Sequence, residues 1–203
     1  MLEAASVAGT EFSSAAVAAA LGCPQNEIEA CCTRLSRHEQ FVSEQGPIAW
    51  PDGTVAAGFH FHNVLYREVV YDLLPASRQV QLHRRIAARE ELGYGESAGE
   101  VATELAHHSN RGNDKNKAIQ YLRLAGDRAG GRGAVVEAEN HYRCALKLLS
   151  ELPQTSERDR LELTLEMGLG NVLWRSRSWA HSEASRAYDR LNSRKSLARP
   201  PKL

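Results

Sequence analysis

The chain has 203 residues, room for one large domain or two small ones, and its 25 Lys+Arg balance 25 Asp+Glu. A net charge of zero excludes a global field that would recruit nucleic acid or an anionic membrane, and no apolar run approaches the ~20 residues of a bilayer span. The opening MLEAASVAGTEF lacks the regions of a signal peptide, and the four cysteines (Cys23, Cys31, Cys32, Cys144) have no paired spacing, so a soluble chain in a reducing, cytoplasmic compartment is expected.

In chain order, Ala15–Leu21 is an alanine-rich segment with Ser13 or Ser14 as N-cap and Gly22 as stop, which predicts a first helix. Cys23-Pro24 makes a turn. From near Asn26, the residues Ile28, Cys31, Cys32 and Leu35 recur at spacings of three and four, so a second helix completes a helix-turn-helix. Two runs rich in aromatic and β-branched residues, Phe41–Trp50 and Thr54–His62, flank Pro51-Asp52-Gly53 and predict a hairpin, or wing, with bulges near Gly46-Pro47 and Gly58. From Val64 the period becomes helical, with Leu65, Val69 and Leu73 on one stripe and Val70 and Leu74 beside it, up to Pro75. The next helix, about Ala76 to Leu92, places Val80, His83, Ile86 and Ala87 on one face and Arg78, Arg84, Arg85 and Arg89 largely outside it. GYGES then breaks the pattern, so the first domain is expected to span 1–94.

Residues 95–192 read as amphipathic helices separated by RGND (111–114), AGGRG (129–133), LPQTS (152–156) and a weak break near Arg175–Ser178. Gly126, Ala138, Tyr142 and Ala145 have the spacing of the small, small, large, small positions of a tetratricopeptide repeat. Gly170, Ala184, Tyr188 and Leu191 repeat it more loosely. A helical solenoid is predicted, followed by a basic, proline-containing tail over 193–203 that reads as disordered. The fold class expected is therefore mainly α: a winged helix-turn-helix with a small hairpin, then a tetratricopeptide-like solenoid.

Charge is unevenly shared. Residues 1–57 hold two basic side chains (Arg34, Arg37) against seven acidic ones, about -5, and the remainder carries about +5. A duplex reader needs Lys or Arg on its recognition helix and wing, whereas NEIEACCTRLSRHEQ opens on Glu27 and Glu29, and Phe41–His62 contains no Lys or Arg. Direct DNA readout is thus the alternative reading, not the preferred one.

No reaction is announced. His60 and His62 share a strand face but lack a Cys, Asp or Glu at ligand spacing, and neighbouring His107 and His108 diverge by ~100° on a helix, which predicts one buried and one exposed. Vicinal Cys31-Cys32 reads as core packing. AGDRAGGRGAVVEA follows a helix rather than a strand, so its glycines fit an interhelical turn and not a phosphate loop. No catalytic, cofactor-binding or metal residue, and no cofactor, is assigned.

LEAASVAGTEF, FHFHNVLYREVVYDLLPASRQVQLHRRIA, ELAHHSNRGNDKNKAIQYLRLAGDRA and AENHYRCALKLLSELP together resemble the region after the NTPase module of bacterial STAND-class (AAA-type) signal-transduction ATPases, which are fused to cyclase, kinase or LuxR-type domains. The resemblance spans about residues 2–191 and is sharpest over Phe59–Tyr71. It implies a winged helix followed by tetratricopeptide-like repeats that bind a protein or peptide partner, with the ATPase module absent, as in a fragment or truncated relative. The family carries a histidine immediately before the helix that begins here at Val64, a position that in related switches touches nucleotide; this chain has Asn63. The function expected is a non-catalytic regulatory and protein-interaction module without membrane or nucleic-acid partners.

Overall fold

A computed structural model of the chain describes residues 1–38 and 41–175. They are mainly helical with one small three-stranded antiparallel sheet, and they form two compact units divided between Ala125 and Gly126.

Two elements that the sequence pattern does not announce open the first unit: α1 (Leu2–Ala8) and β1 (Glu11–Ser13). The alanine-rich segment forms α2 (Ser14–Leu21), where Ser13 accepts the Ala16 N–H as N-cap and Gly22 closes the helix at φ 71°, a left-handed backbone that suits glycine. After the Cys23-Pro24 turn comes α3 (Gln25–Arg37), burying Ile28 and Cys32. The predicted hairpin is β2 (Val42–Ala49) and β3 (Val55–Phe61), with a register shift between Glu44 and Gly46 where a bulge was expected. β1 pairs with the other edge of β3, giving the sheet order β1-β3-β2.

The core lies where these layers meet. Phe12 of β1 packs on Phe59 and Phe61 of β3 with ring centroids 5.9 and 5.6 Å apart. Val17, Cys32, Val42, Leu82 and Ile86 are fully enclosed around them. Each such Leu, Ile or Phe contributes roughly 1.5–3 kcal/mol by leaving water.

α4 (Val64–Asp72) and α5 (Ala76–Tyr94) follow on either side of Pro75. α4 turns Arg67, Val70 and Tyr71 inward, whereas the Leu65, Val69, Leu73 stripe faces solvent. GYGES does not end the unit. Gly95–Val101 is a 3-10 helix that returns the chain to α6 (Ala102–Arg111), and α6 buries Leu105, Ala106 and His108 as it packs along α5. The first compact unit therefore continues past residue 94 to Ala125, within α7 (Lys115–Gly131).

Among the described residues, the second unit comprises the end of α7, α8 (Val135–Ser150) and α9 (156–175). Ala138, Tyr142 and Ala145 of α8 are buried. A Cβ on Gly126 would lie 3.0 Å from the Tyr142 ring, and one on Gly168 of α9 would lie 2.6 Å from it, so Tyr142 occupies space that only glycines on two neighbouring helices leave open. Its hydroxyl donates to Asp127. Of the looser set, Gly170 lies in α9, whereas Ala184, Tyr188 and Leu191, the break beyond Arg175 and the 193–203 tail lie outside the described residues.

Candidate functional site

The surface that would read a duplex is built from α3 and the hairpin. On α3, Asn26, Glu27, Ala30, Arg34 and Arg37 are exposed. Glu29 is not part of that surface. Its Oε1 accepts from Ser14 Oγ at 2.8 Å, Gln25 Nε2 at 2.8 Å and the Ala57 N–H at 3.2 Å, tying α2, α3 and β3 together. These hydrogen bonds, led by that from Gln25, hold the carboxyl below its usual range. The expected acidic face thus keeps Glu27 alone of its two leading acids, because Glu29 satisfies buried and half-buried donors.

The turn of the hairpin is fastened to α5. Arg89 donates to Asp52 Oδ2 at 3.0 Å and to Thr54 Oγ1 at 2.7 Å, and its guanidinium lies 4.4 Å from the centre of the Trp50 ring. The Asp52 N–H donates to the Gly93 carbonyl at 3.0 Å, and a Cβ on Gly93 would collide with Trp50. Three of the four arginines placed outside the α5 core face reach other elements: Arg84 donates to Gly112 O, Arg85 to Ala20 O, and Arg89 to the hairpin, while Arg78 donates within α5 to Gln81 Oε1. Long guanidinium side chains reach carbonyls and carboxylates on neighbouring elements while their stems cover apolar surface, which a helical wheel cannot register. Losing the stack on Trp50 costs about 1 kcal/mol. Arg89→Ala should therefore accelerate hydrogen exchange at the Trp50 and Gly53 amides, which bond to Thr54 O and Trp50 O across the turn, while the α2 amides stay protected.

His60 and His62 come to a ring separation of 6.0 Å, and Ser43 Oγ bonds the His62 ring at 3.1 Å. No group of three or more His, Cys, Asp or Glu among the described residues is arranged to hold a metal ion. Asn63 caps α4: its Oδ1 accepts the Leu65 N–H at 2.9 Å. Cys32 is enclosed, and burial pushes its thiol up to about 12, so it is no nucleophile. The glycine-rich 129–133 segment ends α7 and turns at Gly133, φ 79°, into α8.

Sequence reasoning did not assemble the polar chain inside the first unit. Tyr71 of α4, His83 of α5 and His108 of α6 meet in the interior, with His83 0% and His108 3% exposed, while His107 faces outward. Tyr71 Oη lies 3.1 Å from His83 Nε2, and His83 Nδ1 lies 2.8 Å from His108 Nδ1. His108 also bonds the backbone of Ala8 in α1, and with Nδ1 facing His83 the ring nitrogen left for that bond is Nε2. A carbonyl only accepts, so His108 carries its proton on Nε2 and accepts at Nδ1. His83 then donates from Nδ1 and accepts at Nε2, and Tyr71 donates. One consistent assignment threads α4, α5, α6 and α1, and it requires both rings to be neutral. Burial first, and then the neighbouring histidines, press both imidazoles down to about 3.

Beside the sheet a cavity of about 200 Å³ is lined by Phe12, Trp50, Tyr94, Glu11, Glu90 and Glu104. Glu90 Oε2 is buried there without a hydrogen-bond partner. Burial, aided by Glu104, raises this carboxyl to about 8, so it is protonated at neutral pH. A signal for Glu90 does exist in the sequence: it stands four residues after Ile86 and seven after His83, on the buried stripe of α5.

No family model matches the chain, and no solved structure matches it. An uncharacterized protein of Rhizobium meliloti (strain 1021) is 24% identical to it over 131 residues, which are 64% of this chain and 13% of that protein. The chain therefore aligns with only a small part of that relative's length. No helix among the described residues is long and apolar enough to cross a membrane.

Proposed function

We propose that the chain is a non-catalytic regulatory and protein-interaction module, a winged-helix domain followed by tetratricopeptide-like repeats, related to the region after the NTPase of STAND-class signalling ATPases. The observation that carries this reading is the seating of Tyr142 between Gly126 and Gly168, with Ala138 and Ala145 buried beside it. Such close helix approach at small residues, with an aromatic in the gap, is the packing device of helical repeats whose faces hold peptides or partner domains. The element order α1-β1-α2-α3-β2-β3 supports a winged helix. Its Arg89-fastened turn and its hairpin without Lys or Arg favour a packing role over groove binding.

Exposed Arg34 and Arg37 on α3 are the specific feature that favours the second reading, a transcriptional regulator binding DNA. The two separate cleanly. Titration calorimetry with ATP and with ADP is expected to show no binding, and a gel shift on duplex DNA at low salt is expected to show no retarded band. Micromolar nucleotide binding overturns the non-catalytic reading; salt-sensitive retardation replaces it with the DNA-binding one.

A further inference from the structure

The outer face of α4 is apolar and uncovered. Leu65, Val69 and Leu73, each one helical turn from the last, are 58%, 58% and 79% exposed, and Tyr66 and Val64 extend the surface. Phe41 joins it by an unusual route. Its backbone lies in the left-handed region at φ 63°, a conformation that costs a bulky aromatic of order 1 kcal/mol, and its ring meets Tyr66 edge-on at 5.5 Å. Exposed leucines scattered singly need no explanation, but a contiguous stripe of three on one helix with an aromatic pair at its end does.

The charged side chains that α4 itself leaves exposed are of one sign. Glu68 and Asp72 each precede a stripe residue, so both stand on the same flank; both are exposed and form no ion pair among the described residues. The one basic residue of α4, Arg67, is turned away, donating to Ser6 O at 3.0 Å and resting on the Tyr71 ring. Neighbouring α1 contributes exposed Glu3 and no basic side chain. A second copy docked antiparallel on this face would set Glu68 and Asp72 against themselves, since like flanks meet in that arrangement, and an anionic bilayer would be repelled by the same residues.

We propose that α4 is a docking face for an amphipathic helix of another protein, one that carries an apolar stripe flanked by Lys or Arg. The stripe supplies anchors at i, i+4 and i+8, in the manner of helix-in-groove recognition, and Glu68 and Asp72 select a basic flank. The face lies in the first compact unit and does not depend on how the repeats of the second are read.

The test uses the full chain and two fluorescent helical peptides of about 18 residues with identical leucine spacing, one with lysine flanks and one with glutamate flanks. By anisotropy the lysine peptide is expected to bind at least ~10-fold more tightly, and to weaken as salt is raised. Val69→Ser/Leu73→Ser should reduce its affinity ~10-fold or more. Glu68→Lys/Asp72→Lys should reverse the order of the two peptides with the stripe intact. All four positions are exposed, and circular dichroism checks that each variant keeps its helices. Equal affinity for both peptides, binding indifferent to the serine variant, or a sedimenting dimer that the serine variant abolishes would each overturn the proposal, the last in favour of a second copy.

Discussion

Between pH 6.5 and about 4.5, His83 and His108 together are expected to remove about 5 kcal/mol of stability from the first compact unit. The sign follows from the neutral state that their hydrogen-bond chain demands. In the folded unit both rings titrate at about 3, below the ordinary 6.5, so under mildly acidic conditions these two imidazoles bind two more protons in the unfolded chain than in the native one. Their contribution is complete above pH 6.5 and declines at roughly 2.7 kcal/mol per pH unit as pH falls towards 3. Glu29 and Asp52, whose carboxyls are held low by hydrogen bonds, begin to lose their own contributions only below the ordinary carboxylate range. Urea unfolding followed at a series of pH values reads this slope together with the opposing one from Glu90. Stability that stays flat from pH 6.5 to 4.5 would mean that the histidines are not buried neutral.

Glu90→Gln is expected to stabilise the same unit by about 3 kcal/mol at pH 7 and to have little effect near pH 4.5. Glu90 is raised from 4.5 to about 8, so folding takes up a proton throughout that window, and stability present below 4.5 is lost as pH rises to 8. Glutamine fills the site without that demand. The two effects oppose each other between pH 4.5 and 6.5, where the native chain loses two protons' worth of histidine stability and regains one proton's worth from Glu90. Net loss from these three groups on acidification from pH 7 to 4.5 should therefore be about 2 kcal/mol in the native protein and about 5 in the Glu90→Gln variant. Paired urea titrations at pH 7 and 4.5 check both numbers; an equal gain at the two pH values would place Glu90 outside the cavity.

How far these features are legible in the sequence depends on the range of the interaction. The helix stops at Gly22 and Pro75, the Pro51–Gly53 turn and the apolar periods of α3, α5 and α8 are local, and the structure has each of them. β1 is three residues long and exists because β3 offers it an edge, a pairing that joins Phe12 to Phe59 across two intervening helices and a strand. The polar chain through Tyr71, His83 and His108 is likewise set by three helices at once, although each histidine stands in an apolar register on its own helix. α4 misleads in the other direction. Its strongest apolar stripe is the one left in water, because Arg67, Val70 and Tyr71 on the opposite side carry the contacts with the core.

The irregularity in β2 has a bearing on how copies of this chain behave when crowded. β2 is an outer strand of the sheet, and its free side would otherwise be a template for the strand of a neighbour. The shift at Glu44 and Gly46 breaks the spacing of its donors and acceptors, Pro47 removes an N–H, and Glu44 places a charge beside the gap. An incoming strand could align with only a few residues on either side before losing register, so the margin of the sheet resists edge-to-edge aggregation.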